Sequence, residues 1–184
     1  MPGFKVANRY AISLLETSLE KNSLEQAYND MKMLVKLLDM SYELKHAIES
    51  PIIKPGIKIL IVDEIFEKRI SVDSLKFIRF VISKRREEIL YEIAKRFLEL
   101  RDEHLGIVNV DVKTAFEFTA EQKKQLKEKF KIILNKTVIL KYRVDKNIIG
   151  GFVARVGDTV YDASILHQLE LLKKEFIQGG LSLN

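Results

Sequence analysis

The sequence predicts an α+β protein: a six-helix bundle over residues 1–105, then a small α/β domain over residues 106–184 with a few-stranded sheet and two helices. Three observations carry that prediction. Apolar residues recur at helical spacing as far as His104, they alternate in twos after Gly106, and chain breakers are sparse, with 8 Gly and 3 Pro in 184 residues. Hydrophobic residues at 47% and charged residues at 31% allow a packed core and argue against wholesale disorder.

The first helix is marked by a stripe of Ala7, Tyr10, Ala11, Leu14, Leu15 and Leu19. Asn22 and Ser23 interrupt it, and Ser23 with Gln26 reads as a capping box for the second helix, which carries Leu24, Ala27, Tyr28, Met31, Val35 and Leu38. A short third helix around Leu44 to Ile48 ends before Pro51, because a residue preceding proline is pushed out of helical geometry. Pro55 opens a fourth helix, with Ile57, Leu60, Ile61 and Ile65 as its expected buried stripe.

A fifth helix begins near Ser71 or Asp73 and has two apolar sides. Leu75, Ile78 and Ile82 form one; Phe77, Phe80 and Val81 fall on roughly the opposite side. A surface helix of a small bundle has one side to bury, so the second side is either covered within the bundle or offered to a partner's amphipathic helix. The sixth helix runs from about Glu87 to His104 and buries Leu90, Ile93, Ala94, Phe97 and Leu98.

After Gly106 the period changes. Val108, Val110 and Val112 alternate with polar residues as in a half-buried strand. Thr119 with Gln122 is a second capping box, opening a helix to about Leu134 with Leu126, Phe130 and Ile133 inward. Val138, Leu140, Tyr142 and Val144 alternate again, Asp145 to Asn147 is a turn, Phe152 to Val156 a strand, and Thr159 to Tyr161 a short last strand. Asp162 is the expected cap of a closing helix that buries Ile165, Leu169, Leu172 and Phe176.

Chemistry-bearing patterns are scarce. With no cysteine there is no disulfide, thiolate metal site or cysteine nucleophile. His46, His104 and His167 lie far apart, and none has a second ligand-type residue at metal spacing. Adjacent pairs such as Glu87–Glu88 and Asp63–Glu64 point about 100° apart on a helix and do not converge on a substrate. Gly150–Gly151 sits between two strands without the Lys and Ser/Thr of a phosphate loop, which favours a bulge or a close backbone approach. The expectation is a protein that is not an enzyme and needs no cofactor or metal.

Nor does any run approach the about 20 apolar residues of a membrane helix, and the N-terminus lacks the apolar stretch of a secretory signal. Direct membrane insertion is therefore not expected. The net charge of +5 resides mainly in residues 106–184, with 13 Lys and Arg against 9 Asp and Glu. Such a balance suits a solvated face, an acidic protein partner or nucleic acid. The lysine-rich helix at 123–131 has no Arg, and its one aromatic, Phe130, lies on the core stripe, so nucleic acid is not the expected partner.

The stretch from Val144 to Asp158 resembles the signature of the delta subunit of F-type ATP synthases, the oligomycin-sensitivity-conferring protein family. Asp145, Ile148, Gly150, Gly151, Arg155 and Gly157 fit it, with Ala154 standing where a larger aliphatic is usual. Asp158, Asp162, Ser164 and the early Arg9-Tyr10-Ala11 also fit, and the resemblance extends over nearly the whole chain. It implies a non-catalytic stator subunit of a proton-translocating ATP synthase. The helical bundle would bind the catalytic alpha/beta head by taking the N-terminal helix of an alpha subunit between its first and fifth helices. The second domain would hold the b subunits of the peripheral stalk, at the cytoplasmic side of the cell membrane. The expected groove residues are Tyr10, Ala11 and Leu14 on the first helix and Phe77, Phe80 and Val81 on the fifth. A basic nucleic-acid or ribosome-associated module is the alternative.

Overall fold

A computed structural model of the protein describes residues 2–179. The chain is α+β, with eight α-helices and a four-stranded mixed sheet among the described residues. It divides into two compact units, Met1–Leu105 and Gly106–Asn184.

The first unit holds α1 (Pro2–Glu20), α2 (Leu24–Met40), α3 (Tyr42–Glu49), α4 (Pro55–Phe66), α5 (Val72–Ser83) and α6 (Leu90–His104), with a 3-10 turn at Glu87–Ile89. Its core gathers Ala7, Ala11, Met31, Leu34, Ile78 and Phe97, with neighbours from every helix. Ser41 and Ser71 cap α3 and α5, their side chains accepting from Leu44 N and Ser74 N. Ser23 does not cap α2 through its side chain; its hydroxyl turns to Ser18 O, and Gln26 donates to Asp30 instead. Arg101 ties α6 to α2 by pairing with Glu25 while its guanidinium lies 4.1 Å above the Tyr28 ring.

The fourth helix corrects an expectation. Its buried face is Lys58, Val62 and Phe66, whereas Ile57 and Leu60 are 50% and 68% exposed. The helix is apolar almost all round, so spacing could not select a side. The inward lysine is accommodated because its ammonium donates to Glu87 Oε1. A carboxylate and an ammonium leave water together only when paired in this way.

The second unit is built on β1 (Ile107–Thr114), β2 (Thr137–Val144), β3 (Gly151–Val156) and β4 (Thr159–Ser164), in the order β2-β1-β3-β4. β1 and β2 are parallel, with α7 (Ala120–Leu134) as the crossover; β1–β3 and β3–β4 are antiparallel. The Thr119–Gln122 capping box is formed in both directions. α7 lays Leu126 and Phe130 on Val110, Val112, Val138 and Ala154. Ile133 is exposed rather than inward, because the inward stripe of α7 runs through Leu126, Phe130 and Leu134.

Gly150 and Gly151 are where two pieces of backbone approach closely. Gly151 has φ +78, and a Cβ there would collide with Ala163 O; a Cβ on Gly150 would collide with the Ile165 side chain. The last strand runs further than expected, to Ser164, and Ser164 rather than Asp162 caps α8 (Ile165–Gly179), its Oγ accepting from His167 N. Asp162 acts one step earlier, accepting from Ser164 N at 2.9 Å. The closing helix does not bury its stripe. Ile165, Leu169, Leu172 and Phe176 are all exposed, Phe176 at 78%. Helical spacing showed an apolar face without showing that this chain covers it.

Candidate functional site, a furrow between two helices

The residues expected to gather on the first and fifth helices separate into two groups. Ala11 and Val81 are completely enclosed in the core of the first unit and present nothing to a partner; Val81 turns inward because α5 is covered on more than one side. Leu14 is only 7% exposed but reaches the wall of an open furrow. Tyr10 and Phe77 are half-buried there, and Phe80 is 47% exposed.

The furrow encloses about 530 Å³, with Tyr10, Leu14, Ala27, Ser74, Phe77 and Phe80 on its walls. Tyr10 and Phe80 face one another across one end, their ring centroids 6.2 Å apart at 48°. At the other end Lys21, just past α1, meets Asp73 of α5 at 2.9 Å. The hydrogen bond from Lys21 holds the Asp73 carboxyl below its ordinary value. From Tyr10 to Lys21 is about 16 Å at the helical rise, or three turns.

The wall supplied by α5 is fixed by a buried acid. Asp30 on α2 is 2% exposed, and its Oδ2 accepts from Ser71 N at 3.0 Å and Ser71 Oγ at 2.6 Å. Sequence reading missed Asp30 because the partner lies 41 positions away. It also missed Thr17 and Lys21, which line the furrow one and two turns beyond Leu14. Their spacing from Tyr10 was a usable signal, but a search for apolar stripes passes over polar residues.

The carboxylate pairs resolve into salt bridges instead of acid–base dyads: Asp63 with Arg79 at 2.7 Å and Glu87 with Lys58 at 2.6 Å. Among the described residues no group of three or more His, Cys, Asp or Glu could hold a metal ion.

The signature positions lie at the two ends of β3, Asp145 to Gly151 leading into it and Arg155 with Gly157 at the β3–β4 turn. Asp145 accepts from Asn147 N and from Lys113 Nζ, each at 3.1 Å. Half-buried Ile148 closes the same turn through its N–H to Asp145 O, and Arg155 Nε donates to Gly157 O at 3.0 Å across the β3–β4 turn. These residues shape a β-turn-β scaffold.

A sequence profile for the ATP synthase delta (OSCP) subunit matches residues 6–176. The chain belongs to that family. ATP synthase subunit delta of Chlorobaculum tepidum is 36% identical over 93% of this chain and 94% of its own length. The Chloroherpeton thalassium subunit delta is 35% identical over 96% and 97%, and that of Desulforudis audaxviator 35% over 91% and 92%. A chain in the Toxoplasma gondii mitochondrial ATP synthase hexamer shares the fold, with a TM-score of 0.73, 18% identity, and coverage of 93% of this chain and 97% of that one. A delta subunit is a structural, non-catalytic part of ATP synthase, and the stator role follows from family membership. No helix among the described residues is long and apolar enough to cross a membrane, in keeping with a peripherally held subunit.

Proposed function

We propose that the helices of the first unit act as a six-helix bundle whose α1/α5 furrow receives the N-terminal helix of an alpha subunit, while the second unit holds the b subunits of the peripheral stalk on the cytoplasmic side of the cell membrane. The alpha/beta head is thereby held against the torque of the central shaft.

The observation that carries the first half is the unfilled furrow itself. Phe80 and Tyr10 leave aromatic surface in water that a helix of three turns would cover. Each Å² of apolar surface removed from water contributes about 25 cal/mol, from which the costs of association are subtracted. The second half is supported by α8, whose apolar stripe is exposed along its length. The nucleic-acid alternative gains no support, since Phe130 among the α7 lysines is buried and packed edge-on against Tyr161.

Calorimetric titration of the full chain with a peptide of the alpha N-terminus tests the furrow. Micromolar or tighter binding that falls at least about tenfold in Phe80→Asp is expected, since a carboxylate would be desolvated on docking. Equal affinity of the variant removes the furrow from the interface.

A further inference from the structure

The furrow changes chemistry along its length. Towards Tyr10 and Phe80 its walls are apolar, with Leu14 and Phe77 completing them. Towards the Lys21–Asp73 bridge they carry Thr17, Ser18, Ser71 and Ser74 instead. An apolar groove alone selects poorly among registers, because a helix whose stripe recurs every three or four residues can slip by a turn and keep most of its contacts. A single buried polar group in such an interface fixes the register, since a slipped partner leaves it unpaired.

Ser74 is placed to be that group. It is 2% exposed, lines the furrow, and its hydroxyl makes no hydrogen bond among the described residues. Other hydroxyls of that half are used within the chain. Thr17 Oγ1 donates to Ser13 O, Ser18 Oγ to Leu15 O at 2.8 Å, and Ser71 Oγ to Asp30. Ser71 Oγ in turn accepts from Ser74 N at 3.2 Å, so the buried Asp30 holds the Ser74 backbone in place through Ser71. A fixed backbone and an enclosed side chain with an unused hydroxyl leave that hydroxyl to a partner from outside the chain.

The charge around Ser74 says which kind of partner. Lys21 and Lys76 both act on the Asp73 carboxylate, and only Lys21 is hydrogen-bonded to it. Two cations on one carboxylate leave that end of the furrow positive. A hydroxyl beside surplus positive charge is best matched by a carboxylate acceptor, and such charge-assisted bonds are the stronger kind.

We infer that Ser74 sets the register of the docked helix by donating to an Asp or Glu side chain on it, with Lys76 as the accompanying cation. The identity of the helix rests on the proposed α1/α5 docking. Ser74 precedes Phe80 on α5 by about 9 Å of helical rise. The carboxylate therefore belongs about six positions from the apolar residue that covers Phe80 and Tyr10.

The test is calorimetric titration of the full chain with the peptide of the alpha N-terminus and with peptides in which each Asp and Glu is replaced in turn by Ala. Ser74→Ala removes an unpaired buried hydroxyl from the free chain. Its thermal midpoint should therefore equal or exceed that of wild type, while its affinity for the parent peptide falls about tenfold. A residue that served only the fold would lower both. One substituted peptide should bind wild type about tenfold more weakly than the parent and lose little further affinity for Ser74→Ala, the coupling of a direct contact. Lys76→Gln should lower affinity for the parent peptide about threefold and leave that for the substituted one unchanged.

Equal affinity of Ser74→Ala and wild type, with Phe80→Asp still weakened, overturns this inference and leaves the furrow reading standing. So does a loss in Ser74→Ala that couples to no acidic position of the peptide, or one matched by a lowered thermal midpoint. Failure of the parent peptide to bind wild type, or equal affinity of Phe80→Asp, overturns both readings.

Discussion

Lys58 and Glu87 form an ion pair inside the first unit, the ammonium 2.6 Å from Oε1 and the lysine side chain without any exposed surface. α4 is thereby fastened to the 3-10 turn that precedes α6. Removing one partner leaves a buried charge alone. Lys58→Ala is expected to cost about 3–5 kcal/mol in urea unfolding, whereas Lys58→Met combined with Glu87→Leu restores most of it. A single variant within about 0.5 kcal/mol of wild type contradicts the pairing.

Asp30 fixes the start of α5 through Ser71, and α5 is one wall of the furrow. Asp30→Ala removes the buried acceptor of two donors and should destabilise the chain by about 2–3 kcal/mol. Affinity for the alpha peptide should fall as well, although Asp30 is buried. Asp30→Asn keeps one acceptor oxygen and should recover part of both losses. Full affinity in the alanine variant would show that the wall holds without this anchor.

The glycines of the signature differ in what they do. Gly151 combines φ +78 with a blocked Cβ position, and Gly157 has φ +56 with open space around it. Gly151→Ala should therefore cost more than about 2 kcal/mol and Gly157→Ala roughly 1, since left-handed backbone alone accounts for the latter. Thermal melts of the two variants check the ranking, and a reversed order contradicts it.

Acid should loosen the second unit in a defined direction. The Asn147 N–H and the Lys113 ammonium hold the Asp145 carboxyl below its ordinary value of 3.8, and Ser164 does the same for Asp162. Each is a carboxylate favoured in the folded state. Its contribution is complete above the unfolded value and is lost as pH falls through the lower folded one. The urea midpoint should drop between about pH 5 and the strongly acid range. Asp145→Asn should show a shallower drop, and an identical profile would separate Asp145 from the acid response.

Much of this was legible beforehand because it depends on local rules. The change of period at Gly106, the Thr119–Gln122 box and the tight Gly150–Gly151 step each follow from a few neighbouring residues. The faces of α4 and α8 were not. Ile57 and Leu60 occupy a stripe as regular as that of Val62 and Phe66, and the face that turns inward is set by distant partners, the core around Val62 and Phe66 and the Glu87 carboxylate that receives Lys58. On α8 the spacing of Ile165, Leu169, Leu172 and Phe176 is that of a buried helix, and spacing is silent about which chain does the burying. For the furrow, Tyr10, Leu14, Phe77 and Phe80 were legible as the outer members of two stripes, while Val81 sat one position too far round α5.

The most direct measurement is side-chain NMR of the full chain titrated with the alpha N-terminal peptide. Resonances of Tyr10, Leu14, Phe77 and Phe80 should move together and saturate at one equivalent, with α4 undisturbed. Shifts gathered instead on Ile57 and Leu60, with Tyr10 and Phe80 silent, would place the helix on the other apolar surface and contradict the docking of an alpha subunit between α1 and α5.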